Sequence, residues 1–170
     1  GLLNWAMILL GTQRVNDKNH LEIGGCDVVD LAAEFGTPLY IMDEQLIREK
    51  CRAYRAAFER EYGNANIAYA GKAFMTAAMC ALAAQEGMWL DVASAGELYT
   101  AVRANFPTDR IFLHGNFKTP KELNMAVQYG VKYVVLDSYD EINELAKIAE
   151  VAGRLQEVLI RCNPGVDPHT

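Results

Sequence analysis

Five polar residues recur along the chain at nearly equal steps: Lys72, Asp91, His114, Asp137 and Arg161 are separated by 19, 23, 23 and 24 residues. Each belongs to the end of a short apolar run, IAYAGKAF, WLDVASAG, IFLHGNFK, YVVLDSYD and EVLIRCNPG, of a length that suits a buried strand. The segments between them, MTAAMCALAAQEG, AGELYTAVRAN, PKELNMAVQYG and YDEINELAKIAEVAG, are rich in Ala, Leu and Glu and read as helices. Three of the four close on a glycine suited to a C-terminal cap. The pattern predicts a βα repeat with parallel strands over 68–72, 90–93, 111–114, 133–136 and 158–162 and the five polar residues at their carboxyl ends. Such a repeat builds either a doubly wound sheet or a (β/α)8 TIM-type barrel, and in both the chemistry collects at that edge. No G-x-G-x-x-G follows any of the runs, which favours the barrel. A closed barrel needs eight strands and about 250 residues. The chain is therefore expected to be the first, incomplete part of a longer barrel, and inactive by itself.

Ahead of the repeat, PLYIMD predicts a first strand around 39–42. A charged helix follows over 45–62, with Leu46, Ile47, Tyr54, Ala57 and Phe58 on its apolar face. The stretch GTQRVNDKNHLEIGG shows no hydrophobic periodicity. The opening run GLLNWAMILL is far shorter than the roughly 20 residues that span a bilayer, and it lacks the positive flank of a signal peptide. The expected organisation is a leader over 1–11, a leading segment with the first strand over 12–43, and the barrel from 44 to 170.

Composition narrows the function classes. A 51% hydrophobic content excludes disorder, and 16 basic against 22 acidic residues give a net charge of −6 with no basic cluster, which argues against a nucleic-acid partner. Cys26, Cys51, Cys80 and Cys162 never form a C-x-x-C pair, which argues against a metal site and fits reduced, mostly structural thiols of a cytoplasmic protein.

Three runs carry the capping-box signal: Ser94 with Glu97, Thr119 with Glu122 and Ser138 with Glu141. Pro120 sits where proline suits a helix start. These hydroxyls read as helix caps rather than nucleophiles, because no histidine base lies beside them.

Lys72 is the strongest candidate for chemistry. Ala70, Gly71 and Ala73 leave room for a bulky group, and strand alternation puts Ala68, Ala70 and Lys72 on one face. A lysine partly withdrawn from water offers the neutral amine that forms a Schiff base with a carbonyl. The competing reading is an ordinary surface lysine. Asp91 and Arg161 would share the rim, there to hold charge or orient a cofactor oxygen, or else to pair with each other. His114 opens His-Gly-Asn116, a small-residue corner that lets backbone approach a ligand. Asp137 reads as support for the cap beside it, and His20 and His169 have no assigned role.

Taken in order, EIGGCDVVDLAAEFGTPLYIMDE, IAYAGKAF, LDVASAGELYTA, FPTDRIFLHGNFKTPKEL, LDSYDEINEL and RCNPGVDPHT resemble the amino-terminal part of the bacterial diaminopimelate decarboxylase family, from about Thr12 to Thr170. The resemblance implies an alanine-racemase-like barrel that binds pyridoxal 5′-phosphate and decarboxylates meso-2,6-diaminopimelate to L-lysine and carbon dioxide, the last step of lysine biosynthesis. It implies that Lys72 carries the cofactor, with Asp91, Arg161 and His114 around it. Phe117 stands where relatives have the second asparagine of a His-Gly-Asn-Asn-Lys phrase, and Ala95 replaces a common glycine. The family's phosphate loop and substrate-reading residues are expected after Thr170. The leading segment is expected to join a carboxyl-terminal β domain, and the whole protein to be a homodimer. The alternatives are a related decarboxylase for ornithine, arginine or carboxynorspermidine, and a non-catalytic carrier of the same cofactor; EIGGCDVVD argues against the carrier.

Overall fold

The computed structural model describes residues 8–165; the first seven residues and the last five, His169 among them, lie outside the described residues. The chain divides into two compact units, residues 1–63 and 64–170.

In the first unit, the stretch without periodicity folds as an antiparallel sheet of three short strands, β1 (Arg14–Val15), β2 (Leu21–Ile23) and β3 (Cys26–Asp27), in the order β1-β2-β3. The β2–β3 turn is Gly24-Gly25 with φ of 60° and 80°, a pair of left-handed residues that glycine adopts freely and that matches the twist of a tight hairpin. The Asn16 side chain closes the β1–β2 loop by accepting from the amides of Lys18 and His20. Strands of two or three residues are too short to show a period, so no alternation could be read there.

Helix α1 (Val28–Phe35) starts on Asp27, whose carboxylate accepts from the amides of Val29 and Asp30. Partial burial opposes ionisation of Asp27, but hydrogen bonds from Asn16, His20 and these amides outweigh it and hold the carboxyl well below the usual range. Helix α2 (Glu44–Glu61) matches the expected charged helix and is capped by Asp43, which accepts from Leu46 and from the amide and hydroxyl of Thr12. The first strand expected around 39–42 is absent. Residues 39–43 pair with no strand among the described residues, and Leu39, Tyr40 and Met42 are exposed. Apolar, β-prone composition makes a strand only where a neighbour supplies the ladder.

The second unit is the βα repeat. Strands β4 (Ala68–Ala70), β5 (Trp89–Val92), β6 (Ile111–Leu113), β7 (Tyr133–Leu136) and β8 (Val158–Ile160) form one sheet in sequential order, with every neighbouring pair parallel. Helices α3 (Ala77–Gln85), α4 (Ala95–Arg103), α5 (Pro120–Tyr129) and α6 (Tyr139–Ala152) connect them. Leu90, Val92, Ile111, Leu113, Val134 and Leu136 are buried, as are Cys80 and Ala83 of α3, Leu98 and Ala101 of α4, Leu123, Ala126 and Val127 of α5, and Leu145 of α6. Each large side chain so buried contributes about 1.5–3 kcal/mol.

The other strand parity forms the opposite face, where register sets Ala68 beside Trp89, Ala70 beside Asp91, and Phe112 beside both Asp91 and Tyr133. The rings of Trp89, Phe112 and Tyr133 meet there with centroids 5.4–6.1 Å apart.

All three expected hydroxyls cap: Ser94, Thr119 and Ser138 accept from the amides of Glu97, Glu122 and Glu141. Only Thr119 and Glu122 form the reciprocal box. Glu97 and Glu141 instead reach one residue further back, accepting from the amides of Ala93 and Asp137, the loop residues just before each cap. Thr76 adds a cap for α3. Glu122 also accepts from the amide of Ala95 at the start of α4. Burial opposes its ionisation, yet the bonds from the Thr119 amide and hydroxyl and from Ala95 prevail and lower its pKa.

Two outcomes follow for the intact protein under denaturant. Thr119→Ala removes a cap and is expected to cost about 1 kcal/mol, with Thr119→Ser close to the unsubstituted protein. Because the Glu122 pKa is depressed on folding, its contribution is present above the ordinary glutamate range and is lost as the pH falls through the folded value. Glu122→Gln is therefore expected to be less stable at neutral pH and to lose less on acidification to pH ~3; an equally steep acid loss in both proteins would contradict the role assigned to this carboxylate.

Candidate active site

Strand parity and strand length together deliver four of the five polar residues, Asp91, His114, Asp137 and Arg161, to one edge. Asp91 lies within β5 on the face of Ala70 and Phe112. His114 and Arg161 directly follow β6 and β8, and their amides extend the ladders by donating to the carbonyls of Val92 at 2.7 Å and Leu136 at 3.0 Å. Asp137 directly follows β7.

Lys72 is placed differently from the strand-face expectation. Strand β4 stops at Ala70, and Gly71–Ala73 form a single 3-10 turn that carries Lys72 into an exposed position. The Tyr69 hydroxyl donates to the Phe74 carbonyl at 2.6 Å across this turn. Withdrawal of Lys72 from water, expected from the sequence, is not provided by the described residues. What the sequence did indicate is the need for small residues. A Cβ on the buried Gly71 would lie 3.0 Å from the carbonyl oxygen of Asp91 and 2.5 Å from the sulfur of Met75, so glycine lets the turn of Lys72 pack directly on β5.

Asp91 Oδ2 stands 3.6 Å from His114 Nδ1, while Asp91 Oδ1 is buried and has no hydrogen-bond partner among the described residues. A buried carboxylate oxygen without a donor is costly, and a ligand's N–H, O–H or cationic group would satisfy it.

Arg161 does not pair with Asp91. Its Nη1 donates to Asn116 Oδ1 at 2.6 Å and approaches Asp137 Oδ1 at 3.4 Å. Asp137 is thus more than a support for its cap, since its other oxygen is 3.3 Å from the ammonium of Lys118. Lys118 itself is buried and reaches Glu141 Oε2 at 2.9 Å and the carbonyl of Gly115 at 2.8 Å. Asn116, Lys118 and Glu141 were not read from the sequence as part of the rim. A lysine in a loop is ordinarily exposed, and Glu141 carried a sufficient explanation as a capping residue.

The arrangement offers an exposed amine for capturing a carbonyl, a carboxylate with a free acceptor oxygen, an imidazole beside it and a guanidinium across the rim. The donor set suits an anionic aldehyde cofactor: Lys72 could hold its carbonyl carbon, Asp91 and His114 could meet its polar edge, and Arg161 could face negative charge. No group of three or more metal-ligating side chains occurs among the described residues, and none of their helices is long and apolar enough to cross a membrane. None of the four cysteines forms a disulfide; Cys51 and Cys80 are buried, with burial pushing the Cys80 thiol up, whereas Cys26 and Cys162 are exposed rather than structural.

Residues 44–170 match the family described as pyridoxal-dependent decarboxylase, pyridoxal binding domain. A diaminopimelate decarboxylase of Bacillus subtilis is 48% identical over 164 residues, which cover 96% of this chain and 37% of that protein. The crystal structure of diaminopimelate decarboxylase from M. jannaschii superposes with a TM-score of 0.84 at 36% identity, covering 93% of this chain and 37% of that one. The same enzyme in complex with L-lysine gives 0.81 at 35% identity, over 92% and 37% of the two chains. The chain spans a little over a third of the length of these proteins.

Gly71→Ala tests the placement of the lysine turn. Met75 can move aside but the Asp91 carbonyl cannot, so the turn must shift by a few tenths of an ångström. In the intact protein, capture of pyridoxal phosphate, followed by its absorbance, is expected to slow at least about tenfold, with melting lowered by only a few degrees. Unchanged capture would show that the close approach of Gly71 to β5 does not set the position of Lys72.

Proposed function

The chain belongs to the pyridoxal-dependent decarboxylases, of which residues 44–170 carry the pyridoxal-binding domain, and on that footing we propose that the whole protein converts meso-2,6-diaminopimelate to L-lysine and carbon dioxide with Lys72 as the covalent anchor of its cofactor. The five-stranded parallel sheet is part of the alanine-racemase-like (β/α)8 barrel. Support for the substrate comes from the 48% identity to the Bacillus subtilis diaminopimelate decarboxylase and from the L-lysine complex of the M. jannaschii enzyme. The observation that carries the reading is local: the turn of Lys72 is locked through Gly71 onto Asp91, whose buried Oδ1 lacks a donor among the described residues.

Pyridoxal phosphate, when bound, supplies an electron sink for the pair left behind when the carbon–carboxylate bond breaks. The residues of this chain do the positioning. Lys72, exposed on its turn, would hold the cofactor's carbonyl carbon and leave it open to the approach of a substrate amino group. Asp91, with one buried oxygen lacking a donor among the described residues, would accept from a bound N–H or O–H group, and His114 beside it would limit where that group sits. Arg161 places positive charge across the rim, fixed by Asn116 and Asp137. Residues 12–43 belong in this reading with a carboxyl-terminal β domain, and the whole protein works as a cytoplasmic homodimer on a small amino-acid substrate.

Borohydride reduction of the intact protein with pyridoxal phosphate, followed by peptide mapping, is expected to label Lys72. Label on Lys118 or Lys132 with Lys72 clean would overturn the assignment. Lys72→Ala is expected to lower carbon dioxide release from diaminopimelate by at least about a thousandfold, ~4 kcal/mol of barrier. Faster release from ornithine or arginine would replace the substrate, and cofactor binding without release from any of them would indicate a carrier.

A further inference from the structure

We propose that Lys118 is a positioning residue for the decarboxylation, acting from inside the protein through Asp137 to aim Arg161 at the site; this rests on the function proposed above. The side chain of Lys118 is 1% exposed. An ammonium so buried is tolerated only when carboxylates and hydrogen bonds surround it. Here it has two carboxylates, Asp137 Oδ2 at 3.3 Å and Glu141 Oε2 at 2.9 Å, and the Gly115 carbonyl at 2.8 Å.

Two of these acceptors lie in rim loops, and the third, the buried Glu141 of α6, ties those loops together. Gly115 follows His114, and Asp137 follows β7. Glu141 also accepts from the backbone amides of Lys118 and Asp137, both at 3.0 Å, so one carboxylate fixes both loops. The opposite oxygen of Asp137 faces Arg161. A charge sequence thus runs from the buried ammonium through Asp137 to a guanidinium whose side chain is 51% exposed. Both rim contacts of Arg161 fall on Nη1, from Asp137 and from Asn116, and both partners sit on segments that Lys118 ties down. The remaining guanidinium nitrogens have no partner among the described residues, and the side chain is half exposed. Of the three acceptors of Lys118, Gly115 thus flanks His114 and Asp137 holds Arg161.

The test is a double-mutant cycle in the intact protein with pyridoxal phosphate and diaminopimelate. Lys118→Met removes the cation shared by Glu141 and Asp137 Oδ2 and can unfold the chain, so the cycle uses Asp137→Asn, Arg161→Ala and the two combined. The amide introduced by Asp137→Asn can turn its oxygen to Lys118 but then presents its NH2 to Arg161, which cuts the link and keeps the buried pair of Lys118 with Glu141. Asp137→Asn is expected to melt within a few degrees of the unsubstituted protein, to lower kcat/KM about tenfold and to shift the visible absorption band of the bound cofactor. In the Arg161→Ala background the same substitution is expected to change kcat/KM less than about twofold, because its effect passes through the missing guanidinium. An undiminished tenfold loss in that background, or no loss in the unsubstituted one, would overturn the inference while leaving the proposed function standing. An unsubstituted protein that shows no cofactor band and no turnover would overturn both.

Discussion

The parity of five parallel strands governs the rest of the molecule. Leu90 and Val92, Ile111 and Leu113, and Val134 and Leu136 are buried, and because side chains alternate along a strand their burial leaves no choice about the others. Trp89 and Asp91, Phe112, and Tyr133 and Val135 must stand on the opposite face, and His114, Asp137 and Arg161 continue that parity just past the strands. A slip of one residue in β5 or β7 would put a leucine or valine on the site side and turn Asp91 or Asp137 toward the helices. The hydrophobic core therefore acts as the jig for the polar rim.

Within that frame the fine placement is done by carboxylates. Glu97, Glu122 and Glu141 each stand three residues inside a helix, and each accepts from backbone amides outside it: Ala93 for Glu97, Thr119 and Ala95 for Glu122, Lys118 and Asp137 for Glu141. A carboxylate has two oxygens and about four acceptor directions, so one side chain can close a helix start and also hold a neighbouring loop. The loops that follow β5, β6 and β7 are held in this way, so that around Asp91, His114 and Asp137 little ordering remains to be done when a ligand arrives.

Much of this was legible in the sequence because it repeats. The runs ending near Lys72, Asp91, His114, Asp137 and Arg161 gave the strands, their parallel order and the edge that bears the chemistry, and the Ser/Thr-x-x-Glu signals gave three helix starts. The strand limits were less exact: β4 ends at Ala70, and Lys72 rides a turn that the period-two pattern could not foresee. The leading sheet escaped notice because its strands are too short for a period, although Gly24-Gly25 between Ile23 and Cys26 was a readable hairpin turn. The supposed strand at 39–42 failed for the reverse reason, having the composition without a partner. The pairings of the rim were the least accessible. Arg161 meets Asp137 and Asn116 rather than Asp91, and Lys118 is buried between Asp137 and Glu141. Such contacts join residues 19 to 45 positions apart and depend on the distance between adjacent strands, which no local pattern encodes.

The stitching of loops by Glu97, Glu122 and Glu141 divides the second unit into two ends that differ in how much change they can absorb. Where strands pass into helices, β5 gives way to α4 after Ala93 and Ser94, and β7 to α6 after Asp137 and Ser138, with both connections spanned by the glutamates. An inserted residue there would break a cap and a loop bond together. At the other end, the passages from α4 to β6 and from α6 to β8 run longer and carry none of the five rim residues. Length variation over evolutionary time, and grafted sequence in the laboratory, should therefore accumulate in those two passages, while the β5–α4 and β7–α6 corners keep their length.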